Sequence, residues 1–246
     1  MNYQEYGRRE QKTILLLHGG GLSWWNYREA VSYLEDSFHV ILPVLDGHSG
    51  SDRPFTTIKD NAEEIITFID EQFNGSICLL GGLSLGAQIV LEILSMRKDI
   101  CTHALIESAA VIPSKLTNGL IGPSIKSSYS LISNRTFASL QFRSLHMKED
   151  LFEDYYRDSC RISKEDMIAF MKENTAYSLK DTVKDTKADI HLFYGEKETG
   201  VIKHSAALIK KALPDCTVQC LPGLYHGEFS LNHPKEYAKT IRNIIG

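Results

Sequence analysis

The chain has 246 residues, 43% of them hydrophobic and 24% charged, and its formal net charge is −4. This length and composition suit one domain with a sizeable core and exclude a disordered protein. The mild negative charge and the lack of any Lys/Arg run argue against a surface that binds nucleic acid. We therefore expect a globular protein without a nucleic-acid partner.

The first ten residues are polar and lack the apolar stretch of a signal peptide. The longest apolar runs, such as residues 14–17, are of strand length and too short to cross a bilayer. Five cysteines outside any disulfide framework are typical of a reducing compartment. These features predict a cytoplasmic protein without a membrane span, and none of them indicates an oligomeric state.

Short aliphatic segments alternate with helical patterns along most of the chain. The predicted strands are residues 13–17, 38–42, 76–80, 102–107, 190–194 and 216–221. The predicted helices of the same region are residues 24–35, 58–73, 84–97, 203–213 and 234–244. Strands that alternate with helices need crossover connections, so the pattern predicts an α/β fold: a mostly parallel central sheet with helices on both faces.

The alternation stops between residues 113 and 185, where no buried strand is evident. Residues 148–157 and 164–177 have helical patterns, and Ser163 is a suitable N-cap for the second of them. A segment this long exceeds an ordinary loop. We predict a core formed by residues 1–111 and 186–246, with a helical lid, residues 112–185, inserted into it.

Ser84 lies in Gly82-Leu83-Ser84-Leu85-Gly86, between a predicted strand and a predicted helix. Glycines two residues before and after a serine allow a sharp turn that exposes the serine at the end of a sheet. The first N–H groups of the helix have no helical acceptor, so the Leu85 N–H can point at a developing oxyanion. The same pattern also fits a glycine-rich helix start that packs closely or binds phosphate.

A second motif, His18-Gly19-Gly20-Gly21, directly follows the first predicted strand. Three glycines let backbone N–H groups approach a ligand, so Gly20 and Gly21 are the predicted oxyanion donors opposite Leu85. We expect His18 to organise this loop by hydrogen bonding. The alternative is a flexible loop without a chemical role.

Two later segments complete the pattern: Phe193-Tyr194-Gly195-Glu196-Lys197-Glu198 and Leu221-Pro222-Gly223-Leu224-Tyr225-His226. Together with the glycine loop and the turn around Ser84, they resemble the α/β-hydrolase fold superfamily over essentially the whole chain. In that family a catalytic acid lies three residues after a glycine that ends a late strand, and a histidine lies in the loop after the last strand. The resemblance implies Glu198 as the acid and His226 as the base, in the order serine, acid, histidine. Most members have Asp at the acid position, so Glu196 remains a rival here.

The resemblance implies a serine hydrolase that cleaves a small or medium carboxylic ester through an acyl-enzyme, without a metal or organic cofactor. A serine nucleophile argues against haloalkane dehalogenases and epoxide hydrolases, which share the fold but use Asp. One alternative is a lyase or thioesterase of a biosynthetic pathway, similar to the pyruvate-eliminating step of menaquinone synthesis. An Arg pair in the pocket would favour it, and the candidates are Arg135, Arg143, Arg157 and Arg161. A non-enzymatic ligand receptor on the same scaffold is the other alternative.

Large apolar residues of two segments are candidates for the substrate pocket. Trp24 and Trp25 follow the glycine loop, and Phe137 and Phe142 belong to the predicted lid. We predict that these four side chains line the pocket. Anchoring of the helices that carry them is the alternative.

Overall fold

A seven-stranded sheet forms the centre of the computed structural model, which describes residues 1–246. Its strands are β1 (Tyr3–Tyr6), β2 (Thr13–Leu17), β3 (His39–Pro43), β4 (Ile77–Leu83), β5 (Cys101–Glu107), β6 (Asp189–Gly195) and β7 (Thr217–Leu221). The helices are α1 (Arg28–Ser32), α2 (Ile58–Phe73), α3 (Leu85–Met96), α4 (Lys115–Ser128), α5 (Arg135–Ser144), α6 (Phe152–Ser159), α7 (Lys164–Ala176), α8 (Gly200–Ala212), α9 (Glu228–Asn232) and α10 (Pro234–Ile245). None of these helices combines the length and apolar character needed to cross a membrane.

The order of strands in the sheet is β1-β3-β2-β4-β5-β6-β7, and β1 alone runs antiparallel to its neighbour. All residues of β2 and β3 are buried, as expected for strands covered by helices on both faces. The predicted mostly parallel sheet is thereby confirmed. Because β2 to β7 all run in one direction, the loops that follow them converge at one edge of the sheet.

Successive side chains of the central strands enter two cores on opposite faces of the sheet. Leu15 and Leu17 of β2 belong to the core that includes residues of α2 and α3. Ile14 and Leu16 belong to the core that includes residues of α1 and α10. This alternation is the two-residue period of a strand, and it holds the carboxyl ends of the strands in fixed positions.

Between β5 and β6 the chain forms α4 to α7 and no strand. The buried carboxylate of Asp158 in α6 accepts hydrogen bonds from Trp25 Nε1 at 2.8 Å and from Ser49 Oγ at 3.0 Å. Arg157 donates two more to the same carboxylate. A buried carboxylate is costly to leave without donors, so this group ties α6 to the loops that follow β2 and β3.

Five elements differ from the sequence predictions, which omit α5 and the short α9 altogether. The predictions omit β1, because it is a polar edge strand with a single neighbour and lacks an apolar pattern. They also omit α4, whose Gly119, Gly122 and Pro123 are residues that ordinarily interrupt a helix. The helix predicted over residues 24–35 is instead a 3-10 turn at Trp24–Tyr27 followed by the short α1.

The connection from β4 to α3 leaves no room for side chains at its two glycines. A Cβ on Gly82 would overlap the backbone of Gly86, and a Cβ on Gly86 would overlap the carbonyl oxygen of Leu17. The first turn of α3 therefore lies directly against the end of β2. Only glycine permits this approach.

We predict that Gly86→Ala lowers the free energy of unfolding by at least about 2 kcal/mol, because the backbone of β2 or α3 must move. Gly119→Ala is the matched control, since a Cβ on Gly119 of α4 meets no other atom. It should raise the free energy of unfolding by up to about 1 kcal/mol. Urea denaturation measures both values, and a Gly86→Ala protein as stable as the parent would contradict the steric explanation.

Candidate active site

Ser84 lies at the turn between β4 and α3 with backbone angles of φ 53° and ψ −110°. A positive φ is rare for a residue with a side chain and must be held by its surroundings. Here the Ser84 N–H donates to the carbonyl oxygen of Glu107 at 2.9 Å, and the flanking glycines allow close packing. The turn thus presents the Ser84 hydroxyl at the carboxyl edge of the sheet.

The hydroxyl of Ser84 belongs to a chain of hydrogen bonds that joins three loops. Ser84 Oγ lies 3.0 Å from His226 Nε2, and His226 Nδ1 lies 2.9 Å from Glu198 Oε2. With its Nδ1–H donated to the carboxylate, the imidazole keeps Nε2 free to accept the serine proton. The His226 side chain is 47% exposed, whereas that of Glu198 is 1% exposed. The structure therefore brings together the three side chains predicted from the sequence.

Glu198 is held from its other side as well. Ser108, the residue that follows β5, donates its hydroxyl to Glu198 Oε1. The rival acid, Glu196, is exposed and accepts the N–H of Gly223 at 2.8 Å instead. It makes no hydrogen bond to His226.

A second carboxyl group, Glu107, is buried beside this site. Burial raises the pKa of Glu107 to about 8, and its Oε1 accepts the N–H of Ser230 at 3.2 Å. A carboxyl group with this pKa is protonated at neutral pH. It therefore adds no second negative charge near the carboxylate of Glu198, and the sequence patterns contain no signal that singles it out.

The structure corrects one of the predicted oxyanion donors. The Gly21 N–H donates to His48 Nε2 at 3.0 Å, so it cannot donate to a ligand at the same time. The Gly20 N–H makes no hydrogen bond within the protein, and a Cβ on Gly20 would lie 3.5 Å from Leu85 Cδ2. The Leu85 N–H opens α3 and has no helical acceptor. Gly20 and Leu85 therefore remain as the pair of available donors.

Two buried histidines hold the glycine loop. His18 accepts the Leu45 N–H at Nε2 and is bonded through Nδ1 to the Gly19 carbonyl oxygen. His48 bridges the Gly21 N–H and the Asp46 carbonyl oxygen. Burial lowers the pKa of His18 to about 3 and that of His48 to about 4, so both rings are neutral. His18 organises the loop as expected, whereas the part played by His48 was not predicted.

Ser84 lies where two lobes of a cavity meet. The larger lobe, of about 520 Å³, is lined on one side by His226, Tyr225, Lys197 and His146. The smaller lobe, of about 280 Å³, is mostly apolar and is lined by residues that include Leu85, Ile162, Met167, Phe170 and Met171. Both lobes share Gly20, Leu22, Ser84, Leu145 and Asn174.

None of the four aromatic residues predicted for the pocket lines either lobe. Trp25 is buried and bonded to Asp158, and Trp24 packs beside it against the same core. Phe142 is buried against Phe152 and Tyr155. These side chains, like the half-buried Phe137 of α5, lie outside the cavity wall, and the first three serve to pack the helices.

Helix α7 supplies the wall that the sequence prediction missed. Met167, Phe170, Met171 and Asn174 all line the smaller lobe. Their spacing of three or four residues places them on one face of a helix. That spacing is a usable signal, but it also fits a helix that simply packs on a core.

The four lid arginines do not enter the cavity. Arg135 pairs with Glu153, and Arg157 pairs with Asp154 and Asp158. The arginine pair that would favour a lyase is therefore missing from the cavity wall.

Comparisons with known proteins agree with the observed fold. The model of the alpha/beta hydrolase family matches residues 14–240. An esterase from Thermogutta terrifontis superposes with a TM-score of 0.80 at 16% identity, covering 98% of this chain and 91% of that one. An esterase from Exiguobacterium antarcticum superposes with a TM-score of 0.82 at 16% identity, covering 99% and 94%. At these identities the structural likeness speaks for the fold alone.

A curated relative matches a shorter part of the chain. Epoxide hydrolase 3 of Xenopus tropicalis is 24% identical over 111 residues, which are 44% of this chain. The match spans 30% of the length of that relative. The match therefore shows a similarity to part of that protein and leaves the reaction open.

The lowered pKa of the buried His48 makes the free energy of unfolding depend on pH in a specific way. Unfolded His48 takes up a proton near its ordinary pKa of 6.5, whereas folded His48 does so only near 4. The contribution of the neutral ring to the free energy of unfolding is therefore at its maximum above pH 6.5, and it decreases as the pH falls towards 4. In His48→Gln, whose amide keeps a donor and an acceptor, the slope of unfolding free energy against pH should fall by up to about 1.4 kcal/mol per pH unit.

Urea denaturation at a series of pH values between 4 and 7 measures this slope. His204→Gln, at an exposed position of α8, is the matched control and should leave the slope unchanged. An unaltered slope in His48→Gln would contradict the assignment of a neutral His48.

Proposed function

This chain belongs to the alpha/beta hydrolase family, and we propose that it is a serine hydrolase that cleaves carboxylic esters through an acyl-enzyme. The observation that carries the proposal is the continuous chain of hydrogen bonds from Ser84 through His226 to Glu198. A nucleophile, a base within hydrogen-bond reach and an acid that orients the base are the three parts this reaction needs.

In the proposed reaction, His226 Nε2 takes the proton of Ser84 as the hydroxyl oxygen attacks the ester carbonyl carbon. The N–H groups of Gly20 and Leu85 stabilise the negative charge that develops on the carbonyl oxygen. His226 then gives its proton to the leaving alcohol. Water deprotonated by the same ring attacks the acyl-enzyme, and the ring returns that proton to Ser84 Oγ as the carboxylic acid leaves. The buried Glu198 stabilises each imidazolium.

The two lobes of the cavity suit the two halves of such an ester. The leaving alcohol must lie beside His226, which lines the larger lobe and not the smaller one. The smaller lobe contains both Gly20 and Leu85, the proposed oxyanion donors, and its wall is mostly apolar. We place the acyl chain there, which makes a small or medium apolar acyl group the preferred one.

We further propose that residues 112–185 act as a lid. This segment supplies Ile132, Leu145 and Met171 to the cavity, while the loops of the core supply the proposed reacting groups. Exclusion of water by such a cover strengthens the interactions at the reacting atoms.

The five cysteines are all unpaired, which suits the cytoplasmic location expected from the sequence.

Substitution of the acid distinguishes the two glutamates. Glu198→Gln should lower kcat for p-nitrophenyl butyrate by about 100-fold or more, because the amide no longer stabilises the imidazolium. Glu196→Gln is the matched control and should leave kcat within a few-fold of the parent. The reverse pattern would identify Glu196 as the acid.

Removal of the nucleophile tests the reaction itself. Ser84→Ala should lower kcat by about 10⁴-fold or more while the protein remains folded, since Ala keeps the turn. Hydrolysis of short p-nitrophenyl esters by the parent is the necessary reference. A parent protein without turnover, whose ligand binding is unchanged in Ser84→Ala, would instead indicate a receptor.

Filling the smaller lobe tests the place of the acyl chain. Met171→Trp should lower kcat/KM for p-nitrophenyl hexanoate by about tenfold and spare the acetate, because the indole occupies space that the longer chain needs. Leu140→Trp, at an exposed position of α5 that lines neither lobe, is the matched control. An equal loss for both esters would contradict this placement.

A further inference from the structure

Three side chains with metal-binding atoms lie together at the amino ends of β5 and β6. His103 of β5 is paired in register with Asp189, the first residue of β6, and His191 follows two residues later. Register partners and residues two apart along a strand point to the same face of a sheet. The three side chains therefore share one face, and the pairing of two central strands fixes their spacing.

The donor atoms of these side chains are close to one another. His191 Nε2 lies 2.9 Å from Asp189 Oδ2, and His103 Nδ1 lies 3.5 Å from the same oxygen. One donor atom from each residue falls within 4.8 Å of the other two. His103 Nδ1 is buried and has no hydrogen-bond partner. The cluster thus contains a buried nitrogen atom whose bonding capacity the protein leaves unused.

These distances suit a tetrahedral divalent cation. Zinc binds imidazole nitrogen and carboxylate oxygen at about 2.1 Å, so neighbouring donors in a tetrahedral site lie about 3.4 Å apart. Two of the donor separations, at 2.9 Å and 3.5 Å, lie near that value, and the third is no longer than 4.8 Å. The Asp189 side chain is 54% exposed, which leaves the fourth position open to water.

We propose that His103, Asp189 and His191 form a zinc-binding site. Two imidazoles and one carboxylate favour zinc over magnesium or calcium, which prefer oxygen donors. The bound ion joins the start of β6 to β5 and so connects the two strands that flank the segment 112–185. Its expected effect is to stabilise the fold.

The zinc site is separate from the proposed reaction. His103 lies four residues before Glu107, the last residue of β5, so the cluster is about 13 Å from the carboxyl end of that strand. Ser84, Glu198 and His226 all follow the carboxyl ends of their strands. Zinc can therefore bind the cluster whether or not the protein is a hydrolase.

Titration of the metal-free protein with zinc chloride in a calorimeter tests the site. We expect one saturable site per chain and an increase of the melting temperature with zinc concentration. Asp189→Asn, at an exposed position, should weaken binding by about 100-fold or more and abolish the increase in melting temperature. His204→Asn removes an exposed histidine of α8 outside the cluster and is the matched control.

Three results would overturn the proposal: no saturable zinc binding by the parent, binding that Asp189→Asn leaves unchanged, or magnesium binding as tight as that of zinc. Zinc bound at His226 instead would persist in Asp189→Asn. If the protein also hydrolyses esters, zinc at His226 would inhibit that activity, whereas zinc in the cluster would not.

Discussion

The contact between the first turn of α3 and the end of β2 is the constraint on which the proposed site depends. Gly82 and Gly86 allow the two backbones to approach so closely that no Cβ fits between them. At this contact Ser84 has a positive φ, and Leu85, the first residue of α3, lies beside Gly20 of the loop that follows β2. A serine at the same edge of the sheet without this contact would lack both the geometry of the turn and the neighbouring donors.

Buried polar groups hold the glycine loop and the carboxylate of Glu198 in place. His18 and His48 use all their ring nitrogens to hold the loop of Gly20, and both remain neutral because burial lowers the pKa of each. Ser108 orients Glu198 in the same way. Such networks are costly when a partner is missing, and they therefore favour one arrangement of the loops.

Much of the fold and the three side chains of the proposed triad could be predicted from the sequence. Central strands of the parallel sheet contain apolar runs, such as residues 14–17 of β2 and 77–80 of β4. The turn around Ser84 has a steric requirement that its two glycines reveal. The wall of the cavity could not be predicted in the same way. The aromatic residues Trp25 and Phe142 proved to be buried among helices, because a large apolar side chain fits a core as well as a pocket.

Contacts between individual side chains and backbone groups could not be predicted from the sequence either. The sequence does not distinguish Gly20 from Gly21 as an oxyanion donor. Only the position of His48 shows that the Gly21 N–H is already hydrogen-bonded, whereas the Gly20 N–H is available to a ligand. The cluster of His103, Asp189 and His191 depends on the register of β5 against β6, which no local pattern specifies. Contacts between distant parts of the chain decide both cases.

The central claim is that the Ser84 hydroxyl is an activated nucleophile. Labelling of the intact protein with a fluorophosphonate, followed by peptide mass mapping, tests this most directly, because the reagent bonds to a serine oxygen that an adjacent base activates. The account predicts one adduct per chain, located on Ser84 and absent from the Ser84→Ala protein. An unlabelled parent protein, or an adduct located on another residue, would contradict it.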